Sequence, residues 1–305
     1  MSILRLLFSY VIFPGFIFTA LAGLFLTWVD RKVTARVQWR VGPPWYQPYA
    51  DFLKLLLKET LIPEGASKTM FLLGPLLGLV AVPILSIMLF TMNFKPQHAF
   101  VGDLIVIIYL FALPPLGTII GGSASKNPLA SIGASREMTL YFAYELPFLI
   151  ATATVILKSG GSLNLGRIIL AQTQHPHLYS MSGAIAGLVM LLSIQAKLNF
   201  APFDIPEAEQ EIMAGPYIEY SGVALAMFKL TRAMLFFVLP LYFISLLWGG
   251  FANWWAIPKF LLIVVLIVLI KNTNPRLRID QALKFFWIRL GLLSIVGLIF
   301  AFYRL

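Results

Sequence analysis

The chain has 305 residues, of which 59% are hydrophobic and only 12% charged, with a formal net charge of +10 and no cysteine. A mean hydropathy of +0.86 excludes a soluble globular domain, because the apolar runs repeatedly reach the roughly 18 to 25 residues that cross a bilayer. Without cysteine the chain holds no disulfide, cysteine-ligated zinc or iron–sulfur cluster, so any redox centre belongs to a partner.

The runs fall at 4–29, 71–91, 103–120, 138–157, 180–200, 223–248, 254–270 and 285–303. They are continuous rather than alternating, which predicts helices that satisfy their own backbone and not a β-barrel. The fold class is therefore all-α: a polytopic membrane protein of about eight transmembrane helices, forming one integral membrane domain over 1–305. The first run is longer than a signal peptide and lacks a small-residue cleavage site, so it is expected to stay as an anchor. Fourteen of the 23 Lys and Arg are assigned to the loops after the first, third, fifth and seventh runs, against six at the termini and the loops after the second, fourth and sixth, with three inside the runs. By the positive-inside rule those loops are cytoplasmic and both termini lie outside a plasma membrane. This clustering also removes nucleic acid as a partner, despite the basic charge.

The first cytoplasmic loop, 30–70, reads D-R-K-V-T-A-R-V-Q-W-R-V-G-P-P-W-Y-Q-P-Y-A-D-F-L-K-L-L-L-K-E-T up to Thr60. Gly42, Pro43, Pro44 and Pro48 break the chain, after which 49–61 predicts an amphipathic helix too short to span, with Lys54 and Lys58 on one face. Two readings stand: a helix lying in the interface, or one propping up a cavity.

In the fourth run Glu137, Tyr141 and Glu145 follow at i, i+4 and i+8 and so share one stripe. Glu145 lies roughly 12 Å below the run's end. An ionised carboxylate there costs about 2.5 kcal/mol or more unless it is paired, protonated or facing water. The remaining acids are concentrated: five of 13, namely Asp204, Glu207, Glu209, Glu211 and Glu219, fall within the cytoplasmic loop 201–222. Asp204 and Glu207 have capping-box spacing around Pro206, which predicts a helix start that holds both ionised. Glu211 and Glu219 are then the better proton carriers, and Glu209 fits either role. Crowded carboxylates raise the proton affinity of at least one member, the condition for a relay. In the sixth run Lys229 and Arg232 lie at a depth matching Glu145, so Glu145 is expected to face one of them, continuing a line from Glu211, Glu219 and Glu137.

The segments P-F-D-I-P-E-A-E-Q-E, A-G-P-Y-I-E-Y-S-G, D-R-K-V-T-A-R-V-Q-W-R-V-G-P and Q-P-Y-A-D-F-L-K-L-L-L-K-E together resemble the heel subunit of respiratory complex I and its hydrogenase relatives. The resemblance covers essentially the whole chain. It implies that the two loops build the floor of a quinone cavity or its relic, and that buried glutamates lead from it into a polar axis. By position it assigns Arg31, Arg40, Asp51, Lys54 and Glu59 to the first loop motif, Glu145 to the buried glutamate of the fourth span, and Asp204, Glu207, Glu209, Glu211 and Glu219 to the acidic loop. It further implies soluble peripheral-arm redox subunits as partners, with iron–sulfur clusters and in one branch NiFe, alongside antiporter-like and small membrane subunits. No cofactor is expected in this chain.

The sequence departs from the quinone-reducing branch. Asp30 stands where the family usually has Glu, G-A-S-R-E-M-T-L-Y-F-A-Y-E precedes and includes Glu145, and Gly215-Pro216 opens the last acidic motif. Ser135-Arg136-Glu137, Gly215-Pro216 and Lys229 resemble the membrane-bound [NiFe]-hydrogenase branch. The expected function is thus coupling of partner electron transfer to proton or sodium translocation in a ferredoxin-linked hydrogenase or sulfane-reductase-type complex. The alternatives are the quinone-site subunit of an NADH or deazaflavin:quinone oxidoreductase, and, from another class, an independent secondary ion transporter.

Overall fold

The structure, a computed structural model, describes residues 3–303 apart from 174; the side chains of residues 3–6 and of Glu209 also lie outside the described residues. The expected first run is divided where Pro14, which has no N–H to donate, meets Gly15. It becomes α1 (Ile3–Val11) and α2 (Phe16–Val37), and α2 continues eight residues past the expected end at position 29. A short α3 (Gln47–Leu56) follows, then α4 (Lys68–Phe94), α5 (Asp103–Ala124), α6 (Pro128–Lys158), α7 (Leu165–Ala171), α8 (Met181–Lys197), α9 (Glu209–Ile212), α10 (Gly222–Leu247), α11 (Ala256–Thr273) and α12 (Ile279–Phe302). A π-helical stretch, Phe285–Leu290, lies inside α12. Among the described residues seven helical segments are long and apolar enough to cross a membrane, and α8, at 17 residues, is a shorter apolar eighth.

The bundle is built around α10. Apart from Lys229, Thr231, Arg232 and Ser245 its residues are almost all apolar around the whole circumference, and most of it is buried, as expected of a helix with no continuous polar face to present. It touches α2, α3, α4, α6, α7, α8 and α11. Beside it, α4 and α5 come together backbone to backbone. A Cβ on Gly117 would stand 2.3 Å from the Gly74 carbonyl, and one on Gly74 would stand 2.7 Å from that of Gly117. Such small-residue contacts replace the hydrophobic driving force that lipid removes.

At its start α6 is fixed by Asn127, whose side chain accepts from the Leu129 N–H at 2.9 Å, with Pro128 in the first turn. With 31 residues it runs about 46 Å, well beyond a hydrocarbon core of about 30 Å. The expected start at 138 therefore missed ten residues of helix. The proline-rich lead-in to α3 folds back on α2: Trp28 Nε1 donates to the Pro43 carbonyl at 3.1 Å, and Tyr49 Oη donates to that of Leu21 at 3.0 Å. α3 thus props against α2 and α10.

Replacing Gly117 by Val should push α4 from α5 and lower stability by roughly 1–3 kcal/mol. An SDS-unfolding titration of the detergent-solubilised protein checks this, and an unchanged midpoint would mean that the close approach is not needed.

Candidate functional site: a buried ion-pair chain beside a large cavity

α8 stops inside the bundle, and the way it stops creates the site. The Asn199 N–H bonds the Ala196 carbonyl at 2.9 Å and the Phe200 N–H bonds that of Gln195 at 3.2 Å, while Asn199 adopts φ +48. This is a Schellman termination with asparagine in the left-handed position. Arg232 of α10 completes it. Its Nε donates to the Leu198 carbonyl at 2.9 Å and its Nη2 to that of Asn199 at 2.5 Å, so a guanidinium meets the negative end of the helix. Its Nη1 donates to both oxygens of Glu207, at 2.8 and 2.6 Å.

The terminated helix leaves two side chains pointing at α6. Lys197 Nζ donates to Glu145 Oε2 at 2.5 Å, with the two side chains only 3% and 12% exposed. The ammonium also sits 4.3 Å from the Phe148 ring centre and 4.9 Å from that of Tyr144, which supplies further electrostatic compensation for its burial. Asn199 Nδ2 donates to Glu137 Oε2 at 2.9 Å. Glu137, Lys197, Asn199 and Arg232 line one small cavity of about 40 Å³, enough for about three waters. Tyr217, whose phenol is pushed well up by burial, lines it too and lies 3.2 Å from Thr118 Oγ1.

On the other side of Arg232 opens a cavity of about 1200 Å³ between α2, α3, α10, the start of the acidic loop and the end of α11. Four ion pairs stand in its wall: Arg31–Asp51 at 2.8 Å, Lys271–Asp30 at 2.6 Å, Arg276–Asp204 at 2.7 Å and Arg232–Glu207. The hydrogen bond from Arg31 holds the Asp51 carboxyl below the ordinary carboxylate range. At Asp204 burial outweighs Arg276 and pushes the carboxyl up. Among the described residues no group of three or more His, Asp or Glu is placed to hold a metal ion.

The structure corrects several expectations. Glu145 pairs with Lys197, not with Lys229 or Arg232, because α6 begins at 128 and equal distance from the apolar run's end did not mean equal depth. Lys229 instead lines the large cavity, within the field of Asp51. Asp204 and Glu207 do not form a capping box. Residues Ile205–Glu207 make a 3-10 turn with no side-chain cap, since each carboxylate is taken by an arginine from another element. Glu211 lies at the surface in a 2.5 Å pair with Arg136, and Glu219 accepts from Asn127 Nδ2 at 2.5 Å, tying the loop to the start of α6. Neither hydrogen-bonds to Glu137 or Glu145, so the expected line through them is not formed. Of the first-loop residues, Arg31, Asp51 and Lys54 line the large cavity, whereas Arg40 and Glu59 do not. Glu59 contributes its backbone carbonyl, which accepts from Ser221 Oγ at 3.2 Å. The side chain of Glu209 lies outside the described residues.

Sequence reasoning missed Lys197 and Asn199. A lone lysine in the last turn of an apolar helix, followed by Leu-Asn, is a helix-ending signal that places both residues.

These features define a class: a helical membrane subunit whose buried carboxylates and cations lead away from a large cavity at one end of the bundle. A family model described as NADH dehydrogenase matches residues 10–302, and the chain belongs to that family, as its loop motifs predicted. It is 33% identical to an NADH-quinone oxidoreductase subunit of Geobacillus kaustophilus, over 93% of this chain and 91% of the relative. It is 36% identical to the same subunit from another Geobacillus strain, over 85% and 82%. Among solved structures it is similar to a chain of the membrane-bound sulfane sulfur reductase, an archaeal respiratory membrane complex, with a TM-score of 0.83 and 29% identity over 94% of this chain and 96% of that one.

Breaking the buried pair from one side should cost more than removing it whole. Lys197→Met is expected to destabilise by about 3–5 kcal/mol, and Lys197→Met combined with Glu145→Leu to recover most of that loss. A double-mutant cycle by SDS unfolding measures it, and additive losses would show that the two groups are not coupled.

Proposed function

We propose that this chain is the membrane subunit of a respiratory redox complex that couples electron transfer in a soluble arm to ion movement through the membrane. The observation that carries this reading is the polar chain Glu207–Arg232–Asn199–Glu137, which meets the Lys197–Glu145 pair across the small cavity. An ammonium favours the ionised form of a neighbouring carboxyl and burial favours the neutral form. A small movement of Lys197 from Glu145 toward the Glu137 side therefore changes the proton affinities of the two glutamates in opposite senses. A partner's redox step at the large cavity can drive that movement through Arg232, which holds both Glu207 and the end of the helix carrying Lys197.

For the electron acceptor, the reading is the ferredoxin-linked hydrogenase or sulfane-reductase branch. The likeness to the sulfane sulfur reductase chain supports it. So does the packing of Gly215-Pro216 on Gly133, where a Cβ would meet Pro216 at 2.6 Å, because both lie in the segments that depart from the quinone enzymes' pattern. A second reading, a quinone site, is favoured by the 33–36% identity to the NADH-quinone oxidoreductase subunits and by the size of the cavity. In either case the loops 30–70 and 201–222 face the cytoplasm and the redox subunits that carry the metal clusters. The outward apolar faces of α11 and α12 meet lipid or the other membrane subunits.

Glu145→Gln in the intact complex should leave electron transfer to artificial acceptors in place and abolish coupled ion pumping in sealed vesicles. Normal pumping by that variant would refute the assignment.

A further inference from the structure

The large cavity is lined by seven cations and four carboxylates. The four carboxylates are used in the ion pairs with Arg31, Lys271, Arg276 and Arg232. Lys54 and Lys58, from α3 and the residues just after it, and Lys229 of α10 have no carboxylate within 4.0 Å among the described residues. The carboxylate whose field reaches Lys229 is Asp51, already held by Arg31. Three surplus ammonium groups around one open cavity make a site for an anion, since like charges gathered together repel.

The walls say which kind of anion. Leu24, Phe52, Leu230 and Phe236 line the same space. Leu53 and Leu57, which also line it, are 59% and 89% exposed. A small soluble anion would satisfy the lysines and leave these apolar surfaces uncovered, whereas an anion carrying a hydrocarbon tail covers both. Lysine stems pack along apolar surface while their ammonium groups reach a polar head.

We propose that the cavity binds an anionic phospholipid, with its headgroup phosphate on Lys54, Lys58 and Lys229 and an acyl chain along the apolar wall. None of the three lysines belongs to the Glu207 to Glu145 chain, although Glu207 and Arg232 line the same cavity.

The test uses the purified complex in nanodiscs doped with phosphatidylglycerol that carries a photoactivatable diazirine on one acyl chain. The peptides of α3 and α10 that line the cavity should be labelled. The combined Lys54→Gln, Lys58→Gln and Lys229→Gln variant should lower that labelling about tenfold or more, since all three charges that attract the anionic head are removed. The corresponding arginine variant should keep it, and labelling of the outward face of α11 should not change in either. The proposal is overturned if cavity labelling is equal in the glutamine variant. It is also overturned if inorganic phosphate protects the lysines while no acyl chain reaches the wall, or if carbodiimide couples these lysines to carboxylates of another subunit.

Discussion

One guanidinium organises the polar interior. Arg232 binds the two carbonyls that end α8 and, with its remaining N–H groups, both oxygens of Glu207. A planar fork with five donors can do this, and an ammonium cannot. Because α8 stops at that point, Lys197 reaches Glu145 and Asn199 reaches Glu137. Glu207 is held there as well, so that the start of the acidic loop lines the large cavity while Tyr217, further along it, lines the small one. Phe203, 4.7 Å from Phe286, and the 3.0 Å bond from the Leu277 N–H to the Pro202 carbonyl anchor the same loop to α12 and the segment before it.

Charges at this depth are tolerated through different compensation at each position. Lys197 has a carboxylate and two aromatic faces; Glu137 has an amide; Arg232 has two carbonyls and a carboxylate. Apolar replacements would avoid the desolvation cost of a buried pair, so its presence is poor evidence for stability and better evidence for a function that needs movable charge. The arrangement is graded: the pairs Arg31–Asp51 and Arg276–Asp204 are partly exposed at the larger cavity, and Lys197–Glu145 is almost fully enclosed.

Helix number and type were legible because apolar runs of bilayer length have one stable backbone solution. The stripe of Glu137 and Glu145 was legible too, because helical periodicity fixes which side chains share a face. What one sequence did not reveal was partnership across helices. Lys229, Arg232 and Lys197 are equivalent as cations at the level of composition, and only the insertion depth of each helix decides which one meets Glu145. Run ends gave that depth wrongly, since α6 continues ten residues beyond its apolar stretch under the control of Asn127 and Pro128. The capping-box reading of Asp204 and Glu207 failed for a related reason: a local rule was overridden by two arginines distant in sequence. The loop motifs did identify the family, because they combine rare residues in a fixed order.

The proposed relay requires Glu145 to exchange a proton with its surroundings when partner electron transfer occurs. Infrared difference spectroscopy of the complex, reduced minus oxidised, tests this directly. The expected result is a protonated-carboxyl band that appears or disappears on reduction, shifts in deuterium oxide and is missing in the Glu145→Gln variant. Identical carboxyl-region spectra for the native complex and that variant would contradict it.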